Sequence, residues 1–195
     1  MRINRYALAL FAAATVTACG TSSKTYYYTL QPLGQPLSAP AKQTAAGKID
    51  SIAITALKLP ELVDRPQLVL RKGETQVAID DNHLWGQTLK SEILDSLASL
   101  LAQHSGARQV LLPSQFGRED AQYKIAVDIL RFESIPGSET ILEAQWKIHT
   151  KTDAKPTTGR ALLREPASGA APYDALVSAH RRALQRLAQE IANGL

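Results

Sequence analysis

The sequence predicts an α+β fold: a two-layer domain, a mostly antiparallel sheet with two helices packed on one face. Three observations carry this reading. Short runs alternate apolar and polar residues, most clearly Tyr123, Ile125, Val127 and Ile129 against Lys124, Ala126, Asp128 and Leu130. Two longer stretches, about 83–104 and 173–192, place apolar residues every three or four positions, as one buried helix face requires. Their order along the chain is strands, helix, strands, helix.

The elements follow in order. Tyr26-Tyr27-Tyr28-Thr29-Leu30 has the β-propensity of a first strand, although three tyrosines also suit a membrane interface. Gln31 to Gly47 is rich in Pro, Gly, Ala, Ser and Gln without periodicity and reads as a loop. Ile49 to Leu57 is a strand. Gln67 to Arg71 and Thr75 to Ile79 form a hairpin across Lys72-Gly73-Glu74. Asp80-Asp81-Asn82 offers N-caps for a helix from His83 to His104, with Leu89, Ile93, Leu97, Leu100 and Leu101 as its buried stripe and Gly106 past its end. Trp85 then falls in the first helical turn and seats it on the sheet. Val110 to Leu112 is a short strand. Pro136-Gly137 turns the chain from the 123–130 strand into Leu142, Ala144, Trp146 and Ile148, and Gly159 to Arg164 returns as the third strand of a meander. A last helix from Tyr173 to Ala192 has Tyr173, Leu176, Val177, His180, Leu184, Leu187 and Ile191 as its stripe.

Ahead of this domain, Arg2 and Arg5 precede an apolar run from Tyr6 to Val16, and Ala18 stands directly before Cys19, the only cysteine. The run, roughly ten residues, is too short for a membrane span of about twenty and suits a signal sequence. The layout is that of a bacterial lipoprotein: residues 1–18 are a signal peptide, Cys19 is acylated, 19–25 is a lipid-anchored tether, and 26–195 is a single periplasmic domain. The plainer reading is a secretory signal with an incidental cysteine. Acyl chains contribute about 0.8 kcal/mol per buried methylene, and more than one chain gives stable anchoring. Gly20, rather than Asp, after the cysteine favours the outer membrane. The tether reaches only about 20 Å when extended, so the domain lies close to its membrane.

Cleavage before Cys19 removes two arginines and no acid, so 22 basic residues become 20 against 18 acidic, a net of +2. That is no nucleic-acid footprint. Arg181, Arg182 and Arg186 form a basic patch, read as a solvated helix face before a phospholipid contact. There is no phosphate loop, nucleophile elbow or zinc motif. The four histidines, His83, His104, His149 and His180, show no metal-ligand spacing, and His180 reads as a core residue with a hydrogen-bond partner. The chain reads as no enzyme, with neither cofactor nor metal beyond the covalent lipid. One stretch stands apart: Leu59, Leu62, Val63 and Arg65, apolar and bracketed by Pro60 and Pro66, either packs under the sheet or forms a contact surface.

Tyr27-Tyr28-Thr29-Leu30, Leu62-Val63-Asp64-Arg65-Pro66-Gln67-Leu68-Val69, Trp85, Tyr123-Lys124-Ile125-Ala126-Val127 and Leu142-Glu143-Ala144-Gln145-Trp146, in this order, resemble the ABC-type transport auxiliary lipoproteins that include PqiC. The resemblance implies an outer-membrane lipoprotein facing the periplasm. It also implies an MCE-type substrate-binding protein as partner, phospholipid movement between two membranes, and a ring of identical subunits. The alternative is a lipoprotein scaffold or activator of a cell-wall or secretion machine.

Overall fold

The computed structural model describes residues 24–31, 49–152 and 155–195. The expected signal peptide, Cys19 and nearly all of the 31–47 loop therefore lie outside the described residues. The elements are β1 (Tyr26–Tyr28), β2 (Ser51–Lys58), β3 (Gln67–Arg71), β4 (Val77–Trp85), α1 (Leu89–Ser105), β5 (Gln109–Leu111), β6 (Tyr123–Ile135), β7 (Glu139–Thr150), β8 (Thr157–Pro166) and α2 (Pro172–Ala192). The architecture is the expected one: an eight-stranded mixed sheet whose long ladders are antiparallel, with both helices packed against it.

The sheet is assembled on β6. One edge of β6 carries the meander, antiparallel to β7 from Tyr123↔Thr150 to Ile135↔Glu139, and β7 in turn pairs antiparallel with β8. The other edge is shared. β2 runs parallel to the first half of β6, from Ile52↔Tyr123 to Lys58↔Asp128, and β3 meets the second half at Leu70↔Ser134. β5 extends the sheet beyond β2, while β4 and then β1 extend it beyond β3.

β6 keeps one face in the core through a bulge. Ile125, Val127 and Ile129 point inward, the register shifts between Ile129 and Arg131, and Phe132 and Ser134 continue the buried side. Without the extra residue, period-two alternation would turn Phe132 to the solvent face. The inward residues meet Leu142, Ala144, Trp146, Ile148 and Leu163 from the meander, and Ile93, Leu97, Leu184, Leu187 and Ile191 from the helices. The Pro136-Gly137 turn is present, with Gly137 at φ +71° and Ser138 N donating to Ile135 O at 3.1 Å.

One boundary differs from the sequence reading. Asp80, Asp81 and Asn82 do not cap a helix: β4 continues through them to Trp85, because β3 pairs with one of its edges and β1 with the other, Tyr26↔His83 to Tyr28↔Trp85. The helix starts at Leu89, capped by Thr88, whose hydroxyl accepts from Ser91 N at 3.2 Å. Trp85 is buried as expected, but at a strand end rather than in a helical turn. At the other end of α1, Gly106 stands at φ +69° and donates to Ala102 O, as its position predicted.

Gly159 in β8 lies opposite Trp146, and a Cβ there would stand 2.3 Å from the indole Cζ2. Gly159→Ala is therefore expected to cost about 1–3 kcal/mol, seen as a lower urea midpoint. An unchanged midpoint would show that the indole moves aside freely.

Candidate functional site

The Leu59–Pro66 segment connects two strands that lie end to end on β6. Thirteen residues of chain, Lys58 to Leu70, run beside only seven of β6, Asp128 to Ser134, so the surplus must loop out. Pro60 starts a tight turn, its carbonyl accepting from Val63 N at 3.1 Å and Asp64 N at 3.3 Å. Pro66 ends the excursion, its carbonyl accepting from Trp85 N at 2.8 Å. The four residues singled out from the sequence separate here. Val63 is buried in the core and Leu59 packs against it, whereas Leu62 at the tip is 46% exposed. Arg65 is half-buried, and its Nε has no hydrogen-bond partner among the described residues. They are not one surface patch. Only Leu62 faces outward as a contact residue should.

Leu62 gains apolar neighbours that the sequence reading missed. Val69, Val77 and Ile79 sit at the outward positions of β3 and β4, on the face opposite the buried Leu68 and Leu70. Val77 is 40% and Ile79 43% exposed. Leu62, Val63, Val69 and Val77 line a cleft of about 280 Å³ between the turn, the β3–β4 hairpin and β6. The alternation of Gln67 to Arg71 and Thr75 to Ile79 held the signal, but which side faced out depended on the helices.

A ladder of alternating charge borders this cleft. Arg71 Nη1 donates to Glu133 at 2.5 Å, Arg131 donates to the same carboxylate at 2.9 and 3.1 Å, and Arg160 donates to Glu143 across the next strands at 2.5 and 3.1 Å. Arg131 Nη1 stands 4.0 Å from Glu143 and so links the two groups. The bond from Arg131, with Arg71 beside it, outweighs burial and holds the Glu133 carboxyl below the usual carboxylate range. Among the described residues, both helices pack on the other side of the sheet, so the cleft and ladder form an uncovered face.

A second cluster fastens β1. The His83 ring stacks on Tyr173 at 3.6 Å and on Tyr26 at 5.2 Å, with Tyr28 beside both. Asp80 receives Tyr173 Oη, the backbone N–H of Asn82 at 3.0 Å, and His83 Nδ1 at 2.9 Å. Burial pushes the Asp80 carboxyl up, but these hydrogen bonds prevail and hold it below the usual range. Burial and the bond to Asp80 push the Tyr173 hydroxyl up to about 12. Asp80 is therefore not a helix cap: it joins strand β4 to helix α2.

His180, expected in the core with a partner, is there. Its Nε2 lies 2.9 Å from Ser134 Oγ, and its ring stacks on Phe132 at 3.8 Å. The pair resembles a nucleophile and its base only in spacing. His180 is 1% and Ser134 5% exposed, and His180 Nδ1 has no acceptor to orient it. Among the described residues no three His, Cys, Asp or Glu side chains are grouped to hold a metal ion.

The model of the ABC-type transport auxiliary lipoprotein component matches residues 28–192. The chain belongs to that family. The match spans both helices and all eight strands except the first two residues of β1. No curated protein sequence matches the chain. Among solved structures, an uncharacterized protein shares 15% identity at a TM-score of 0.69, with 88% of this chain and 99% of that chain covered. Protein XCC0632 from Xanthomonas campestris shares 17% at a TM-score of 0.60, covering 87% and 93%. These likenesses show the fold. A PelC dodecamer from Paraburkholderia phytofirmans, at 10% identity, has a TM-score of only 0.41 over 73% of this chain and 86% of that one, too low to carry an argument. The family is one of membrane-associated lipoproteins auxiliary to ABC-type transport.

Burial pushes the His180 pKa down from its ordinary 6.5 to about 3. Between those values the unfolded chain binds a proton that the folded one does not, so stability falls as pH falls from 6.5 toward 3. His180→Gln should flatten that part of the urea-midpoint profile relative to the natural protein. Equal slopes in the two proteins would assign the acid sensitivity to other groups.

Proposed function

We propose that this protein is lipidated at Cys19, held on the periplasmic face of the outer membrane, and serves there as a non-catalytic docking component of an MCE-type phospholipid transport system. The observation that carries the docking role is the uncovered sheet face, where Leu62 overhangs an apolar cleft beside the Arg71–Glu133–Arg131 ladder. An apolar side chain of a partner protein would fill the cleft, and the alternating charges would fix its orientation. The family match supports the transport setting, and the six residues between Cys19 and the first strand support a station close to the membrane. Gly20, rather than Asp, after the cysteine supports the outer membrane over the inner one. Assembly of identical subunits into a ring is compatible with the same short tether.

Two measurements test the proposal. Cys19→Ser should move the protein from the membrane fraction to the soluble fraction. Persistence in the membrane would remove lipidation as the anchor. Leu62→Asp should leave the melting temperature nearly unchanged, because the side chain is half exposed, yet weaken capture of an MCE-domain protein from native membranes by at least about tenfold, the scale of a central interface residue. Val63→Asp should instead unfold the domain. Recovery of cell-wall synthases or a secretin in place of an MCE-domain protein would replace the transport reading with that of a scaffold or activator.

A further inference from the structure

On the helical side of the molecule, a groove of about 340 Å³ runs between α1 and α2, with Gln31 at its border. Ser99 and Gln103 line it from α1, and Ser178, Arg181 and Gln185 line it from α2. The spacing of three and four residues places each set on one helix face. The chemistry of this lining is one-sided. It holds cationic, hydroxyl and amide groups but no carboxylate.

The three arginines of the basic patch are not equivalent. Arg182 and Arg186 both bind Glu165, through bonds of 3.2 and 2.9 Å, and Arg182 also donates to Pro166 O at 2.6 Å. Arg181 has no ion pair among the described residues, although it is partly enclosed by the groove. The buried acid at the start of α1 has partners of its own. Glu92 accepts Thr29 Oγ1 and Leu30 N, both at 2.9 Å, and so ties the end of the first strand to the start of α1. Independently, Gln31 Nε2 is a buried donor without an acceptor among the described residues. The connecting residues 32–48 contain Lys42 and Lys48 but no acid, so their side chains bring no negative charge to Arg181.

We propose that this groove is a binding site for a phosphate ester. The Arg181 guanidinium takes two oxygens of the phosphoryl group in its fork. The serine hydroxyls and the Gln31 and Gln103 amides supply further donors. Leu30 and Leu100 give the carbon skeleton of the ester an apolar wall. Such an ester comes either from a lipid headgroup or from a soluble metabolite. The site does not rest on the docking reading above, and it lies on the helical side rather than on the uncovered sheet face.

The test is isothermal titration of the full-length protein, in detergent and phosphate-free buffer, with three probes: inorganic phosphate, glycerol 3-phosphate and monomeric dihexanoyl phosphatidylglycerol. At least one ester should bind. Arg181→Gln should weaken it about tenfold or more, as loss of a charge-assisted bidentate contact does. The melting temperature should hold, since Arg181 supports no described ion pair. Arg186→Gln, which alters a neighbouring charge outside the groove, should leave affinity within about threefold, as screening of a surface charge allows. Tighter binding of the short-chain lipid identifies a headgroup as the source, whereas equal or weaker binding identifies a soluble ester. No heat from any probe, or equal affinity in Arg181→Gln, overturns the proposal.

Discussion

Strand β6 is the constraint from which the rest of the molecule follows. Its thirteen residues exceed what either β2 or β3 can pair with alone, so its free edge takes both, end to end. That one arrangement joins two sub-sheets, β2–β5 and β3–β4–β1, to a common meander. It also forces the Leu59–Pro66 chain out of the sheet, since the backbone has more length there than the strand beside it. The bulge at Ile129–Arg131 keeps both halves of β6 facing the same core. Removing it would turn Phe132 and Ser134 away from His180, and the aromatic stack under α2 would be lost with them.

The sheet so built has two faces of different character. One is covered by α1 and α2, and three of its polar side chains are tied down: Glu92 to the end of the first strand, His180 to Ser134, Glu165 to two arginines. The opposite face keeps apolar residues in the β3–β4 region and alternating charges across β6, β7 and β8. Exposed ion pairs contribute little to stability, typically under about 1 kcal/mol each. Their consequence is orientation: a row of fixed, alternating charges beside an apolar cleft favours one way of laying a partner against the sheet. The anchored position of β1, clasped by the Tyr26–His83–Tyr173 stack, places the first described residues of the chain at one sheet edge.

The sequence reading failed where long-range pairing overrode a local signal. Asp80-Asp81-Asn82 has the composition of a helix cap, and a cap is what a short window offers. The same residues extend β4 because β1, more than fifty residues earlier, pairs alongside His83 to Trp85. The patch at Leu59, Leu62, Val63 and Arg65 was found as a segment but not resolved into inside and outside. Its turn has no period from which to read facing, and only packing into the core sends Val63 inward and leaves Leu62 out. Arg181 was likewise visible only as one of three basic residues, because Glu165, which claims the other two, lies on a different element.

The sequence by itself determined the class of fold, the meander, both helices and their buried stripes, the turn at Pro136-Gly137 and the family. Each is written in local periodicity, in a turn residue or in the order of short motifs. The tertiary structure alone decided where β4 ends, which of Arg181, Arg182 and Arg186 has no ion pair among the described residues, and which face of the sheet they leave open. Those depend on contacts between residues far apart in the chain, whose hydrogen-bond and charge partners no local window contains.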